Sequence, residues 1–348
     1  MYIFVLMKKY TIKDIAELAG VSKGTVDRVI HKRGKVSEKA LKKVSEIIDK
    51  IDYKPNLLAR SLKNNQDYHI CVVLPDYKQD PFWKPCYEAI IDAIKEYNSF
   101  GIFIEYYFFD LTSSSSFLAV NKKVLELLPN AVLLAPLFYS ETIEVVANYK
   151  ENSILVSKFN NQLHIENSEN FVGQDLYKSG RIAASLMGAI IPKNATVLII
   201  HVDEDYKNAT HIQQKEKGFR NYFTELGNYN VVTYNYKLAD IDTELNNLLN
   251  TPNLKGIFVT TSKVYKIAEK LKSYNSKEIK IIGYDLIDEN IMYLKQHVIH
   301  FLIHQNPEKQ VSLGLSLLVE HLLFDKEIPE KTFLPIDIIN AENIDTYL

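Results

Sequence analysis

The chain has 348 residues, enough for two to three domains, and its 47% hydrophobic and 24% charged content allows a large buried core. Forty-one Lys and Arg against forty-three Asp and Glu leave a net charge of −2, but residues 7–66 carry fifteen basic and seven acidic side chains and residues 67–348 carry twenty-six and thirty-six. The first segment is thus a polyanion-binding candidate and the second a near-neutral or acidic globular part, while the lone pair Cys71 and Cys86 excludes a disulfide-stapled scaffold and a four-cysteine zinc site.

Residues 1–9 read as an N-terminal tail: the apolar run opening at Tyr2 is too short for a signal-peptide core, and Met7 is a second possible start. No apolar stretch reaches the roughly 18 residues a membrane span needs, so a chain retained in a reducing cytoplasm, with no membrane partner, is expected. Residues 10–55 then carry three helix signals. Thr11 lies three residues before Asp14 in a capping-box spacing, and Ile12, Ile15, Ala16 and Ala19 follow at helical intervals. Gly20 supplies a turn, Val21 an apolar plug, and Ser22 caps a second helix whose inner face is Val26, Val29 and Ile30. Ser37 opens a third, with Ala40, Leu41, Val44, Ile47, Ile48 and Ile51 in one apolar stripe.

This is a helix-turn-helix pattern, and it leaves Lys23, Gly24, Asp27, Arg28 and His31 on the outer face of the second helix. Arg28 is the best base reader, since a guanidinium can donate twice to guanine O6 and N7, while Lys23, Lys32, Lys35 and Lys39 suit phosphates. Thr11, Ser22 and Thr25 complete the candidate contact set. A merely solvated basic face is the alternative; the agreement of caps, turn and charge favours DNA.

The runs TIKDIAELAGVSKGTVDRVI, KVSEKALKKV and DYKPNLLARSL resemble the LacI/GalR family of bacterial transcription regulators. The resemblance implies that residues 56–67 form a hinge helix and linker, with Asn56 and Ala59 near DNA and Leu62 wedged into the minor groove. Two positions depart from the family pattern: Asp27 stands where Ser or Thr is usual beside a phosphate, and Gly24 lacks a side chain that often reads bases.

Residues 68–348 read as an effector-binding and dimerisation domain. Apolar runs at 69–74, 102–109, 131–134 and 154–156 alternate with helical stretches, and a second series at 197–200, 231–236, 256–259 and 279–283 repeats the alternation. Runs at 298–303 and 332–338 are expected to be crossings or edge strands. The fold class is therefore a small all-α helix-turn-helix domain followed by an α/β domain of two doubly wound parallel sheets, which resembles the periplasmic-binding-protein-like fold.

Ligands of such sheets sit beyond the carboxyl ends of the strands. Asp80-Pro81-Phe82-Trp83 follows the first run and resembles a sugar-binding loop in which aromatic rings stack on a pyranose; Phe82 and Trp83 are equally placed to be core plugs. By the same resemblance Asp110, Asn160, Asp175 and Asp285 approach an effector, with Gln305 near the second crossing. Gln213 stands where many relatives carry a ligand-gripping Arg, and Thr261 where Asn or Asp is common.

No P-loop, Gly-x-Gly-x-x-Gly turn or Gly-x-Ser-x-Gly elbow occurs, and His297, His300 and His304 lie in an apolar run read as a strand, so neither an enzyme, a cofactor nor a metal site is expected. The reading is a cytoplasmic, homodimeric, ligand-responsive repressor that binds a palindromic operator and is released or tightened by a sugar or sugar derivative. The alternative is a sugar-binding transport-associated protein without regulatory DNA binding.

Overall fold

The computed structural model describes residues 10–30, 34–51, 67–163, 170–202, 209–227, 229–237, 248–273 and 278–348. The expected hinge segment, with Asn56, Ala59 and Leu62, lies outside them, as does His31.

Three short helices, α1 (Ile12–Ala19), α2 (Lys23–Ile30) and α3 (Glu38–Lys50), form the first module. The Thr11 hydroxyl accepts the Asp14 N–H while an Asp14 carboxylate oxygen accepts the Thr11 N–H at 2.7 Å, the reciprocal capping box that the spacing predicts. Gly20 closes α1 at φ 65°, a left-handed conformation that costs an L side chain. Ser22 accepts the Thr25 N–H at 3.1 Å and Ser37 the Ala40 N–H at 3.4 Å, so each later helix also starts on a local cap. Ile15, Ala16, Ala19, Val26 and Val44 close the core. Leu41 does not join it: the side chain is 47% exposed, because it falls on the outer flank of the stripe that Val44, Ile47 and Ile51 face inward.

The remainder builds two six-stranded sheets. In the first lobe β1 (Tyr68–Pro75), β2 (Ile102–Phe109), β3 (Ala131–Leu134), β4 (Leu155–Phe159) and β5 (Phe171–Gly173) are covered by α4 (Lys84–Tyr97), α5 (Ser114–Glu126) and α6 (Tyr139–Glu151). In the second, β6 (Thr196–Val202), β7 (Asn230–Tyr236), β8 (Leu254–Val259), β9 (Lys280–Tyr284) and β10 (Phe301–His304) are covered by α7 (Leu176–Ile190), α8 (Thr210–Leu226), α9 (Val264–Ser273) and α10 (Asp288–Lys295). After β10 the chain returns to the first lobe as α11 (Pro307–Phe324), and two last strands, β11 (Lys331–Phe333) and β12 (Asp337–Ile339), close one sheet each.

The sheet orders are β11-β5-β4-β3-β1-β2 and β12-β10-β9-β8-β6-β7, so the lobes repeat one topology. Among the described residues every strand pairing is parallel except that of β10 with β12. The inner strands β1, β3, β4, β6, β8 and β9 are buried on both faces, which is why they read as continuous apolar runs, while the edge strands β2 and β7 are partly exposed. The run at 298–303 is neither crossing nor edge: β10 lies inside the second sheet between β9 and β12, and His297 and His300 precede the strand. Among the described residues, no cluster of His, Cys, Asp or Glu is placed to hold a metal ion, and no helix is long and apolar enough to cross a membrane.

The chain passes between the lobes three times, after β5, β10 and β11, and one buried side chain ties these crossings together. The Gln174 amide donates to the carbonyls of His304 at 2.8 Å and Pro335 at 2.7 Å, while the Leu334 N–H meets the Gly173 carbonyl at 2.8 Å. The amide nitrogen is thus paired twice, while the side-chain oxygen of Gln174 is buried without a hydrogen-bond partner.

Candidate functional site

On the first module, Ser22, Lys23, Gly24, Asp27 and Arg28 are exposed at the start and along the outer face of α2, with Lys35 exposed beyond it. Thr11 and Ser22 use their hydroxyls as caps, and Thr25 is half-buried with its hydroxyl 2.9 Å from that of Ser22. The outer face of the second helix is thus free of packing demands, the condition for reading a groove.

The second site is a cleft between the lobes, open to solvent at one side. The first lobe lines it with Asp80, Phe82, Trp83, Leu111, Leu137 and Asn160, which follow β1, β2, β3 and β4. The second lobe adds His211 and Lys215 from α8, Thr260 to Lys263 after β8, Asp285 after β9 and Gln305 after β10. Every loop contribution comes from the carboxyl end of a strand, as the doubly wound topology dictates.

Phe82 and Trp83 are core side chains that also reach the edge of the cleft. They are 7% and 3% exposed, pack edge to face at 5.0 Å within the first lobe's core, and still border the cleft. Asp80 accepts the Phe82 N–H at 2.9 Å and so aims this turn. Asn160 and Asp285 close the equivalent strands β4 and β9, at φ 70° and 66°. Asn and Asp tolerate that left-handed turn better than other non-glycine residues.

Asp285 is 2% exposed, and its two carboxylate oxygens accept the Gln305 N–H at 3.1 Å and the Gln305 amide at 2.7 Å. Burial pushes its carboxyl up, against the opposing influence of Lys215, His304 and Gln305. The Gln305 carbonyl in turn accepts from Gln310 on α11 at 2.8 Å, so the cleft is wired directly to a crossing.

Three expected effector contacts lie elsewhere. Asp110 folds its own loop, accepting from the Thr112 N–H and hydroxyl at 2.7 Å each and from Gln79 at 3.1 Å. Asp175 caps α7 through the Lys178 N–H at 2.9 Å. Gln213 sits two positions from both His211 and Lys215; those two share a helix face at i, i+4 spacing, and a residue midway between them points away from it. The position expected for a gripping side chain is thus displaced to its neighbours.

His211, Lys215, Thr260, Ser262 and Lys263 were legible only in part. The polar run Thr260-Thr261-Ser262-Lys263 stands directly after an apolar strand, and Thr261 is one member of a wall rather than a single contact. That wall is held from behind: the Asn290 amide donates to the carbonyls of Ser262 at 2.7 Å and of Tyr284 and Asp285 at 3.0 Å.

Lys215 is 2% exposed, donates to the Thr260 carbonyl at 3.1 Å and lies 3.7 Å from the centre of the Tyr284 ring. It is set there by helix packing without side chains: a methyl group on Gly180 would stand 1.9 Å from the Lys215 carbonyl oxygen, and one on Gly218 2.0 Å from that of Tyr177. Behind it His201, fully buried, is 2.7 Å from the Thr260 hydroxyl and 2.9 Å from Glu216, which also accepts from Arg220 at 2.6 Å. Burial alone would raise the Glu216 carboxyl, but donors from His201, Thr233 and Arg220 prevail and hold it down to about 2.

A helix-turn-helix with a free basic face, joined to two lobes that enclose a polar cleft, defines a ligand-responsive DNA-binding regulator. The chain belongs to the periplasmic binding protein domain family, matched over residues 70–326, and its residues 11–56 match the model of the bacterial regulatory proteins of the lacI family. It is 26% identical to the Sucrose operon repressor of Streptococcus mutans, spanning 96% of this chain and 99% of that one. To the Ribose operon repressor of Lactococcus lactis it is 25% identical, over 96% and 98%. A solved chain from Bacteroides fragilis, described as a candidate LacI transcriptional regulator, superposes with a TM-score of 0.75 at 28% identity, covering 81% of this chain and all of that one. The transport-associated reading is not favoured, and the relatives are repressors rather than enzymes.

Proposed function

We propose that this regulator is a cytoplasmic homodimeric repressor of a sugar-related operon, that α2 reads each half of a palindromic operator, and that a sugar or sugar derivative in the cleft changes its grip on DNA. The observation that carries this is the cleft itself: an aromatic wall from one lobe faces a hydroxyl, amide and charged wall from the other, the composition that stacks and hydrogen-bonds a polyol. The repressor relatives are named for sucrose and ribose operons, which supports the effector class.

Residues 10–55 are the DNA module, 56–67 the hinge and linker and 68–348 the effector and dimerisation domain. Arg28 contacts a base, and Lys23 and Lys35 contact phosphates, with Thr11, Ser22, Gly24, Thr25, His31, Asn56, Ala59 and Leu62 around them. Asp80, Phe82, Trp83, Asn160, Thr261, Asp285 and Gln305 hold the effector. Dimerisation is supported by the edge strand β2, where Tyr106 and Phe108 join Tyr77 and Tyr87 in a half-buried aromatic cluster; an aromatic sheet edge is interface-like.

Binding of the full chain to its own upstream DNA by gel shift, with sugars added, tests the proposal. Arg28→Ala is expected to weaken specific binding about 10- to 100-fold, and binding should fall steeply between low and moderate salt. Absence of sequence-specific binding at low salt would overturn it.

A further inference from the structure

Besides the three crossings, the lobes touch directly beside the cleft. The Thr210 hydroxyl, at the start of α8 in the second lobe, donates to the Asn161 amide oxygen at 3.0 Å, and Asn161 follows β4 in the first lobe. Neither residue lies on a crossing, so this bond lasts only while the lobes keep their present angle. Its neighbours place it in the walls of the cleft: Asn160 and His211, each one position away, are lining residues.

Both partners stand on rigid supports. Asn161 is fully buried; its amide nitrogen donates to the Pro136 carbonyl at 3.0 Å and its backbone N–H to the Phe159 carbonyl at 2.9 Å, so the direction of its side-chain oxygen is fixed. Thr210 belongs to the helix that meets α7 in backbone contact through Gly180 and Gly218. Its hydroxyl does not cap α8, whose cap position is Ala209 with no side-chain bond, and is aimed at the other lobe instead. An amide oxygen left buried without a donor is destabilising where water is excluded and costs nothing where water reaches it. When the lobes part, solvent replaces the bond for both residues; when they meet, each needs the other. The pair therefore discriminates between two lobe arrangements rather than holding either lobe folded.

We propose that Asn161 and Thr210 form a latch between the lobes, a contact that needs no ligand, favours the closed arrangement and so sets how tightly a cleft ligand is held. Its bearing on the effector rests on the reading of the cleft as the effector site; the latch itself does not. A ligand that binds the closed arrangement gains affinity by up to the factor by which the latch favours closure. Thr210→Val keeps the side chain's shape and loses the hydroxyl, whereas Thr210→Ser keeps the hydroxyl. Spin labels at Glu144→Cys and Glu269→Cys, exposed positions on the equivalent helices α6 and α9, report the lobe separation in the full chain by double electron–electron resonance, and the native Cys71 and Cys86 are buried away from the label.

With no sugar added, Thr210→Val is expected to lower the closed-to-open ratio about 3- to 10-fold, the effect of one neutral hydrogen bond, and Thr210→Ser to leave it within about twofold. Calorimetric titration with D-ribose and with sucrose should follow the same order: the affinity for whichever sugar binds falls in the valine variant and is kept in the serine variant. Thermal midpoints within about 2 °C of the unmodified chain show that both variants fold. Identical distance distributions for the unmodified chain and Thr210→Val, or a sugar affinity that the valine leaves unchanged, overturn the latch. A shifted distribution with neither sugar bound sustains the latch and tells against the sugar reading of the cleft.

Discussion

The DNA module and the two-lobed domain are held together by contacts of different range. In the module each helix start is capped by a residue three positions away, Thr11 with Asp14, Ser22 with Thr25, Ser37 with Ala40, and the core closes on small aliphatic side chains. In the domain the cleft is assembled from Asp80 to Gln305, and its second wall depends on two helices whose backbones touch through Gly180 and Gly218. Local bonds tolerate change in their surroundings; close backbone contact does not.

The same substitution therefore has opposite expected signs in the two regions. Gly218→Ala or Gly180→Ala puts a methyl group about 2 Å from a backbone carbonyl oxygen, where no side-chain rotation relieves it. Either is expected to cost about 3 kcal/mol, seen as a fall of roughly 6–12 °C in the domain's thermal midpoint. A change under about 2 °C would show that α7 and α8 separate easily, and the contrast between the regions would disappear.

A second way to sharpen the contrast uses pH. The Glu216 carboxyl is held at about 2 in the fold against 4.5 in the unfolded chain, so its contribution is fully present above about 4.5 and is lost as pH falls toward about 2. At about 1.4 kcal/mol per unit this is roughly 3 kcal/mol. Stability measured by urea unfolding from pH 6 down to pH 3 should fall less steeply for Glu216→Gln than for the unmodified chain, with the variant already weaker at pH 6. Parallel slopes would mean that the His201–Glu216–Arg220 group does not hold the carboxylate.

This difference of range also governs what the sequence discloses. The capping box, the turn at Gly20 and the starts of all three helices follow from residues within four positions of one another, and the structure shows each. The inner strands of both lobes are legible because burial on two faces makes them apolar throughout, and the half-exposed edge strand β2 because it is a run of β-branched and aromatic residues; β2 and β3 fall on the expected residues. The three-residue β5 leaves too short a run to notice, and β10 reads as a crossing or an edge strand because nothing local says which strands flank it.

The cleft is legible only to the level of strand ends. Position after a strand distinguishes Asp80, Phe82, Trp83, Asn160, Asp285 and Gln305, but it does not distinguish them from Asp110 and Asp175, which occupy similar positions and cap their own loop and helix. His211 and Lys215 escape because helix phase, not strand ends, brings them to the cleft, and that phase is set by Gly180 and Gly218 across two helices. A glycine's role in close packing is visible only when its neighbour's backbone is known.

The smallest effect completes the comparison from the other side. Gly24 lies inside α2 with the Ser22 hydroxyl oxygen, 3.9 Å from where a methyl group would sit, as the nearest atom, so Gly24→Ala makes only an ordinary van der Waals contact. Replacing a helical glycine by alanine removes backbone freedom from the unfolded chain, and a gain of up to about 1 kcal/mol in the module is expected. Chemical unfolding followed by far-ultraviolet circular dichroism measures it. Because α2 presents this position outward, stability and operator affinity need not move together: a stabilised module that binds DNA less well would mean that the glycine is kept for close approach to the groove rather than for the fold. A destabilised module would instead show that α2 is packed as tightly as α7 against α8, and the contrast of range drawn between the two regions would not hold.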